Sequence, residues 1–328
     1  MRIIYLCPAQ DTPTGGIKVI YRHVELLVAL GADACILHPT DIDFRCTWFT
    51  HQVPVRRTLA LDPATDFVII PELWAAVYAP DCIEQHVRYA IFVQGPYIYP
   101  DQPLDLFRRI YQTADLILAI SDDCKRMVAL NYPRIDPARV LRVRYSIHQR
   151  FLARPDAPET NAPAIAFMPR KLPYHAALVL TPLREYLPPH WRITPIHNVN
   201  EATVADMLAA ARIFLSFEDF AGLPVPPVEA ALSGNLVIGY TGQGAREYFA
   251  PPNFQEIHHG DIHGFVTAIA KAAHDIDANR LTRSDLAPGI ARLAERFSVP
   301  AEIDHLRIVL DRIEHAFRRS TSESRQYA

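Results

Sequence analysis

Cationic, acidic and glycine residues gather in four short stretches of this chain. Phe167-Met168-Pro169-Arg170-Lys171 sets two cations side by side directly after an apolar run. An arginine fork can grip two phosphate oxygens and a neighbouring lysine adds a point charge, so the pair suits a diphosphate better than it suits a plain solvated surface. Phe217 to Ala230 holds Glu218, Asp219 and Glu229 around Gly222, Leu223, Pro224, Pro226 and Pro227. A loop stiffened this way would fix two carboxylates at the edge of a domain. Glu229, in the first turn of the following helix, could accept hydrogen bonds from a diol; otherwise it is an acid favoured by the helix dipole. Thr14-Gly15-Gly16 lies between an apolar strand and an amphipathic helix. Two glycines let the backbone come close to a ligand, and the helix start presents unpaired N–H groups; the plain alternative is a tight turn. Thr241-Gly242-Gln243-Gly244-Ala245-Arg246-Glu247 follows another strand and reads as a turn into a helix, because it lacks the third glycine of a dinucleotide fingerprint.

Residues of these kinds need a rigid frame. Apolar runs at Ile3–Leu6, Cys35–Leu37, Phe67–Ile70, Ala90–Val93, Leu116–Ile120 and Val140–Val143 read as strands. Phe67–Ile70 and Leu116–Ile120 are apolar throughout, as central strands of a parallel sheet covered on both faces should be. Ile17, Tyr21, Val24, Leu27 and Val28 repeat at helical spacing up to Gly31. The stretch 152–163 has three prolines and no apolar period, and it serves as the linker candidate. The alternation then restarts with strands at Ile165–Met168, Ile193–Ile196, Ile213–Phe217 and Leu236–Tyr240, and helices at Ala176–Leu183, Val204–Ala211 and Glu229–Leu232. Two βα-alternating halves predict an α/β protein with two doubly wound, Rossmann-like domains. The expected boundaries are 1–152 and 153–300, then a helix over 301–320 packing back on the first domain and a tail at 321–328. Ile303, Leu306, Leu310, Ile313 and Phe317 would form that helix's apolar face, which is too short for a coiled-coil dimer. The sequence sets no oligomeric state.

Composition narrows the function further. The 328 residues are 50% apolar and 21% charged, enough for packed cores, and the formal charge of −3 signals no nucleic-acid-binding surface. Lysines number only four (Lys18, Lys125, Lys171 and Lys271) among 33 basic residues, so a phosphate clamp is expected to use arginine. Cys7, Cys35, Cys46, Cys82 and Cys124 are odd in number and widely spaced, which reads as buried thiols of a cytoplasmic protein. The N-terminal apolar run is too short for a signal peptide, and no run of about 18 apolar residues exists to span a membrane. Peripheral association with the inner face of a membrane is compatible with this composition.

The string GLPVPPVEAALSGNLVIGYTGQGAREYF resembles the donor-site signature of GT-B glycosyltransferases, most of all the retaining family 4 type. GGIKVIYRHVELLVALG, LILAISDDCKRMV, RVRYSIHQRFL and FMPRK agree in order; the specific part runs from Phe217 to Glu247. The resemblance implies two Rossmann-like domains facing across a cleft, the C-terminal one holding a nucleotide-diphosphate sugar and the N-terminal one an acceptor. It implies transfer to a glycan, lipid-linked sugar or other glycoconjugate, as in polysaccharide biosynthesis, with no metal and no cofactor beyond the sugar nucleotide. Carried over by motif, Glu229 would bind the ribose, Arg170 and Lys171 the diphosphate, and Glu218 would face the donor sugar. Gly15 and Gly16 would form the loop near the phosphates and acceptor. Asn198, Gly222, Leu223 and Pro224 join the donor-binding set, and Gln94 and Tyr97 line the acceptor side.

The chain departs from that pattern. Glu218 and Glu229 are eleven positions apart, farther than the family's pair. Either residues are added around Ala221 and Pro226-Pro227, or Asp219 takes over from Glu218. Phe92-Val93-Gln94-Gly95-Pro96-Tyr97 stands where many members have a histidine, and the first half is short, suggesting a trimmed acceptor site. These departures motivate a second reading, a non-catalytic GT-B-like subunit that binds a nucleotide sugar or glycan for an active partner. A metal-dependent GT-A transferase using Asp41-Ile42-Asp43 is a weaker alternative, since Asp275-Ile276-Asp277 matches the same pattern inside a helical stretch. His258, His259, Asp261 and His263 read as a surface turn rather than a metal site.

Overall fold

The structure, a computed structural model, describes residues 1–97, 102–152 and 163–326. Apart from its end residues, the proline-rich linker candidate lies outside the described residues. Two compact units emerge, Met1–Tyr145 with Val299–Ala328, and Ser146–Ser298. The second unit therefore begins before the 152/153 boundary suggested by the prolines. The backbone explains this: the Ile147 N–H donates to the Phe297 carbonyl, and the Ser233 hydroxyl donates to the Phe151 carbonyl, tying 146–151 to the second unit.

The first unit carries β1 (Arg2–Leu6), α1 (Gly15–Ala29), β2 (Ala34–Leu37), β3 (Val55–Arg56), β4 (Asp66–Pro71), α2 (Ala75–Glu84) and β5 (Arg88–Val93). It continues with α3 (Leu104–Thr113), β6 (Leu116–Ala119), α4 (Asp122–Asn131) and β7 (Val140–Arg142). Its seven strands pair in the order β3-β2-β1-β4-β5-β6-β7, all parallel. β4 and β6 are buried along their whole length, because helices cover both faces of a parallel sheet.

The second unit carries β8 (Ala164–Phe167), α5 (Pro173–Leu183), β9 (Arg192–Pro195), α6 (Glu201–Ala210) and β10 (Ala211–Glu218). It continues with α7 (Pro226–Leu232), β11 (Leu236–Thr241), β12 (Phe254–Glu256), α8 (Ile262–Asp277) and α9 (Arg283–Arg296). The parallel sheet order is β12-β11-β10-β8-β9. Ile165, Ile213, Leu215, Ile238, Phe265 and Ile269 lie at the centre of its core. The strand expected at Ile193–Ile196 starts at Arg192 instead, and the helix expected from Glu229 starts at Pro226, where two prolines pre-set the first turn.

The last helix, α10 (Val299–Gln326), belongs to the first unit and extends through most of the segment read as a tail. Its buried face agrees with the expected one at Leu306 and Ile313 and differs elsewhere. Glu302, Leu306, Val309 and Ile313 are fully buried, while Ile303, Leu310 and Phe317 are only partly so. Apolar spacing alone missed the start of the stripe because its first member is an acid. Glu302 lies 3.8 Å from the Arg22 guanidinium and 3.7 Å from His23 Nε2 on α1. His23 is itself fully buried; its Nε2–H donates to the Arg144 carbonyl at 3.1 Å and its Nδ1 faces the Tyr5 hydroxyl at 3.4 Å. Burial pulls the His23 pKa down to about 4, so this imidazole is neutral at pH 7.

Candidate functional site

Both sheets reverse their direction of growth at one pair of neighbouring strands. In open α/β sheets ligands bind outside the carboxyl ends of the strands at that switch point. In the second unit the reversal lies between β8 and β10. Lys171 leaves the end of β8, Glu218 is the last residue of β10, and Lys171 Nζ donates to Glu218 Oε2 at 2.9 Å. Glu218 is 5% exposed at its side chain and Lys171 36%, so the pair has a dry carboxylate and a half-open ammonium. The ion pair places Glu218, not Asp219, beside the basic loop.

The loop itself is bent sharply. The Lys171 N–H returns to the Met168 carbonyl, and Leu172 is left-handed with φ 41° before Pro173 opens α5. A left-handed leucine is a strained choice of the kind that gathers at functional sites. Arg170 is exposed within this turn, next to Lys171. Asn198, in the loop after β9, is also left-handed, with φ 50°. Asn198 therefore sits after the strand on the other side of β8 from Glu218.

The loop leaving β10 is pinned by the loop leaving β11. A Cβ on Gly244 would fall 1.8 Å from the Gly222 carbonyl oxygen, and one on Gly242 would fall 2.3 Å from that of Asp219. The Gly244 N–H donates to the Ala221 carbonyl at 3.1 Å, and the Tyr248 hydroxyl donates to the Pro224 carbonyl. Gly242 and Gly244 are thus there for loop-to-loop approach, a role the sequence reading did not assign. Gly222 and Pro224 are buried in this contact and Leu223 is half-buried. Held this way, the loop delivers Glu229 into the first turn of α7, 6% exposed. A carboxylate there is favoured by the positive end of the helix dipole.

In the first unit the reversal lies between β1 and β4. Gly15 and Gly16 open α1 after β1. Gln94, after β5, donates from Nε2 to the Gly16 carbonyl at 3.2 Å, and a Cβ on Gly16 would fall 2.6 Å from Gln94 Oε1. The Gln94 N–H in turn donates to Glu72 Oε2 at 3.0 Å. Glu72 follows directly on β4 and is half-buried; desolvation of its carboxyl pushes its pKa up to about 7 against the opposing pull of the Gln94 and Gly95 amides. Tyr97 donates to Asp123 Oδ2 at 2.5 Å, and Asp123 lies in the first turn of α4. Glu72 and Asp123 were missed in the sequence reading. Each is an acid just past an apolar strand run, the signal that could have found it.

Other candidates have structural roles. Asp41 Oδ1 accepts the Asp43 N–H at 3.1 Å and Asp43 pairs with Arg57 at 2.7 Å, which makes Asp41-Ile42-Asp43 a self-satisfied turn. Asp261 caps α8 through the Gly264 N–H. Among the described residues no group of three or more His, Cys, Asp or Glu could hold a metal ion. The five cysteines are free and buried, and desolvation raises the Cys82 and Cys124 thiols to about 12. Among the described residues no helix is long and apolar enough to cross a membrane.

No protein-family model matches this chain, and no curated protein matches it either. Its fold is nevertheless shared by solved structures. The Anabaena protein HepE in complex with UDP is similar over 95% of this chain and 100% of its own, at 13% identity and a TM-score of 0.72. Sucrose-phosphate synthase from Thermosynechococcus elongatus covers 96% of this chain and 99% of its own, at 14% identity and a TM-score of 0.71. The lipopolysaccharide outer core galactosyltransferase WaaB in its apo form covers 94% and 98%, at 14% identity and a TM-score of 0.64. With two open parallel sheets and this similarity over nearly its whole length, the chain has the GT-B fold of two Rossmann-like domains.

Proposed function

We propose that this protein is a glycosyltransferase that moves a sugar from a nucleotide-diphosphate donor to a glycan, lipid-linked or other glycoconjugate hydroxyl, with retention and without a metal. The observation that carries this reading is the Lys171–Glu218 pair at 2.9 Å across the β8/β10 switch point, with Arg170 beside it. HepE, similar in fold, was crystallised with UDP and with UDP-glucose, which supports UDP as the first nucleotide to try.

In the proposed reaction the bond from the anomeric carbon to the diphosphate oxygen breaks and a bond to the acceptor oxygen forms. The acceptor proton passes to an oxygen of the leaving diphosphate, which becomes the nucleoside diphosphate product. Charge accumulates on that leaving group, and fixed cations aimed at it contribute most when they need no rearrangement. Glu218 holds the Lys171 ammonium in one place, so the charge is positioned before the donor arrives. Arg170 adds a fork for the phosphate oxygens. Glu229 accepts the ribose hydroxyls, while Asn198 and the Gly222–Pro224 loop border the donor. Gln94, Tyr97 and the Gly15–Gly16 turn serve the acceptor side. A cytoplasmic setting with peripheral attachment at a membrane fits a lipid-linked acceptor.

The test is binding of a nucleoside diphosphate panel by thermal shift and calorimetry, with and without EDTA, followed by diphosphate release from the matching sugar donors. EDTA-insensitive binding with slow donor turnover supports the proposal. Binding abolished by EDTA contradicts the metal-free reading, and binding without any turnover favours a non-catalytic subunit.

A further inference from the structure

The sequence places no histidine where an acceptor-side base is expected, and the structure puts a different group next to the glycine turn. Three strand ends meet there although they are far apart in sequence: β1 leads to Gly15 and Gly16, β4 to Glu72, and β5 to Gln94 and Gly95. Their hydrogen bonds form an ordered relay. The Glu72 carboxylate accepts the Gln94 N–H at 3.0 Å and also the Gly95 N–H. That fixes the backbone of Gln94, whose side-chain amide then donates to the Gly16 carbonyl at 3.2 Å. Both glycines of the relay lie close against the side chains they meet. A Cβ on Gly16 would fall 2.6 Å from Gln94 Oε1, and one on Gly95 would fall 3.1 Å from Glu72 Oε1.

A half-buried carboxylate is a costly means of holding a loop, because desolvation disfavours its charge. The relay's geometry points to a purpose: we infer that Glu72 is a positioning residue of the transfer reaction, acting through Gln94 to set the conformation of the Gly15–Gly16 turn against the sugar or phosphate oxygens bound there. This inference rests on the proposed transferase reading for the identity of what the turn binds, not for the relay itself.

Among the described residues, the titratable groups that feel the charge of Glu72 are Tyr111 on α3 and Cys124 on α4. Burial drives both upward, Cys124 to about 12 and Tyr111 well above its ordinary value, so neither titrates near neutrality. Glu72, raised to about 7, does. Protonation removes the charge from the acceptor of the Gln94 and Gly95 amides and loosens the relay, so turnover should fall as the pH drops through about 7.

The experiment compares the full-length protein with E72Q, E72D and Q94A in two measurements. The first is amide hydrogen exchange without any ligand. E72Q is expected to speed exchange both at 93–95 and in the first turn of α1. Q94A should speed it only in that first turn, because the Gln94 backbone still reaches Glu72. The second is the pH profile of UDP release from UDP-glucose, or from whichever sugar nucleotide the panel selects, with UDP affinity measured alongside. E72Q should lower kcat by about tenfold or more, the scale of a misplaced reacting group. It should also flatten the acidic limb and leave UDP affinity within about twofold, while E72D should recover part of the rate. Exchange in the α1 turn that ignores E72Q, or a kcat and pH profile unchanged by it, overturns the inference. Failure of the wild-type protein to bind any nucleotide would instead count against the transferase reading, and the exchange pattern would still decide the relay.

Discussion

Replacing Lys171 by methionine keeps the bulk of the side chain and removes its charge. At 2.9 Å the pair has a gross attraction of about 6 kcal/mol at an effective dielectric of about 20. Desolvation of Glu218, whose side chain is 5% exposed, offsets most of that, so the pair's net contribution is small. Removal of the cation alone is a different matter, because it leaves a carboxylate in a dry place without its partner. For a fully buried pair that costs about 3–5 kcal/mol; with the lysine end open to water here, about 1–3 kcal/mol is expected. The double variant K171M/E218Q should recover most of the loss, since neither charge then remains. Thermal and urea unfolding of the four proteins of this cycle at pH 7.5 reads the coupling directly. Losses that simply add, or a K171M protein as stable as the wild type, would refute the idea that the second unit stores a cation against a buried acid.

Four further outcomes follow from named contacts. R170A should weaken nucleoside diphosphate binding about ten- to a hundredfold by calorimetry, the scale of lost charge-assisted hydrogen bonds, with little change in melting temperature. E229A should weaken nucleoside diphosphates while leaving inorganic diphosphate unaffected, a split that competition binding resolves. G244A must displace the 219–224 loop, because its Cβ would overlap the Gly222 carbonyl, and should cost about 1–3 kcal/mol by urea unfolding along with nucleotide affinity. His23 is held neutral with its pKa lowered to about 4, so the unfolded chain binds the extra proton. Its contribution to stability is complete above about pH 6.5 and is lost as the pH falls toward about 4, a change of roughly 3 kcal/mol that an H23Q variant should not show.

The frame was legible where burial writes itself into composition. Phe67–Ile70 and Leu116–Ile120 read as strands because both sheet faces are covered, and the structure places β4 and β6 there. The two-residue β3 and three-residue β12 are edge strands with too little length for any period to show. The start of the buried face of α10 was missed because Glu302 lies there, and hydrophobic spacing cannot register an acid that is buried beside Arg22 and His23. The site divides in the same way. Arg170, Lys171, Glu218 and Glu229 stood out as charged residues just after strands. What joins them is strand order: Lys171 and Glu218 are 47 positions apart and meet only because β8 and β10 are neighbours. Glu72 stayed hidden for the same reason. Its partner Gln94 is 22 positions away and Gly16 is joined to Gln94 across 78, so only the sheet reveals the relay. Gly242 and Gly244 looked like a turn because their contacts, the carbonyls of Asp219 and Gly222, belong to another loop.

The central claim is that a nucleoside diphosphate sits at the carboxyl ends of β8 and β10. A crystal structure with UDP bound tests it most directly. The account predicts the diphosphate within hydrogen-bonding distance of Arg170 and Lys171, and the ribose hydroxyls on Glu229. A diphosphate that contacts none of these three side chains, or that binds the first unit alone, would contradict it.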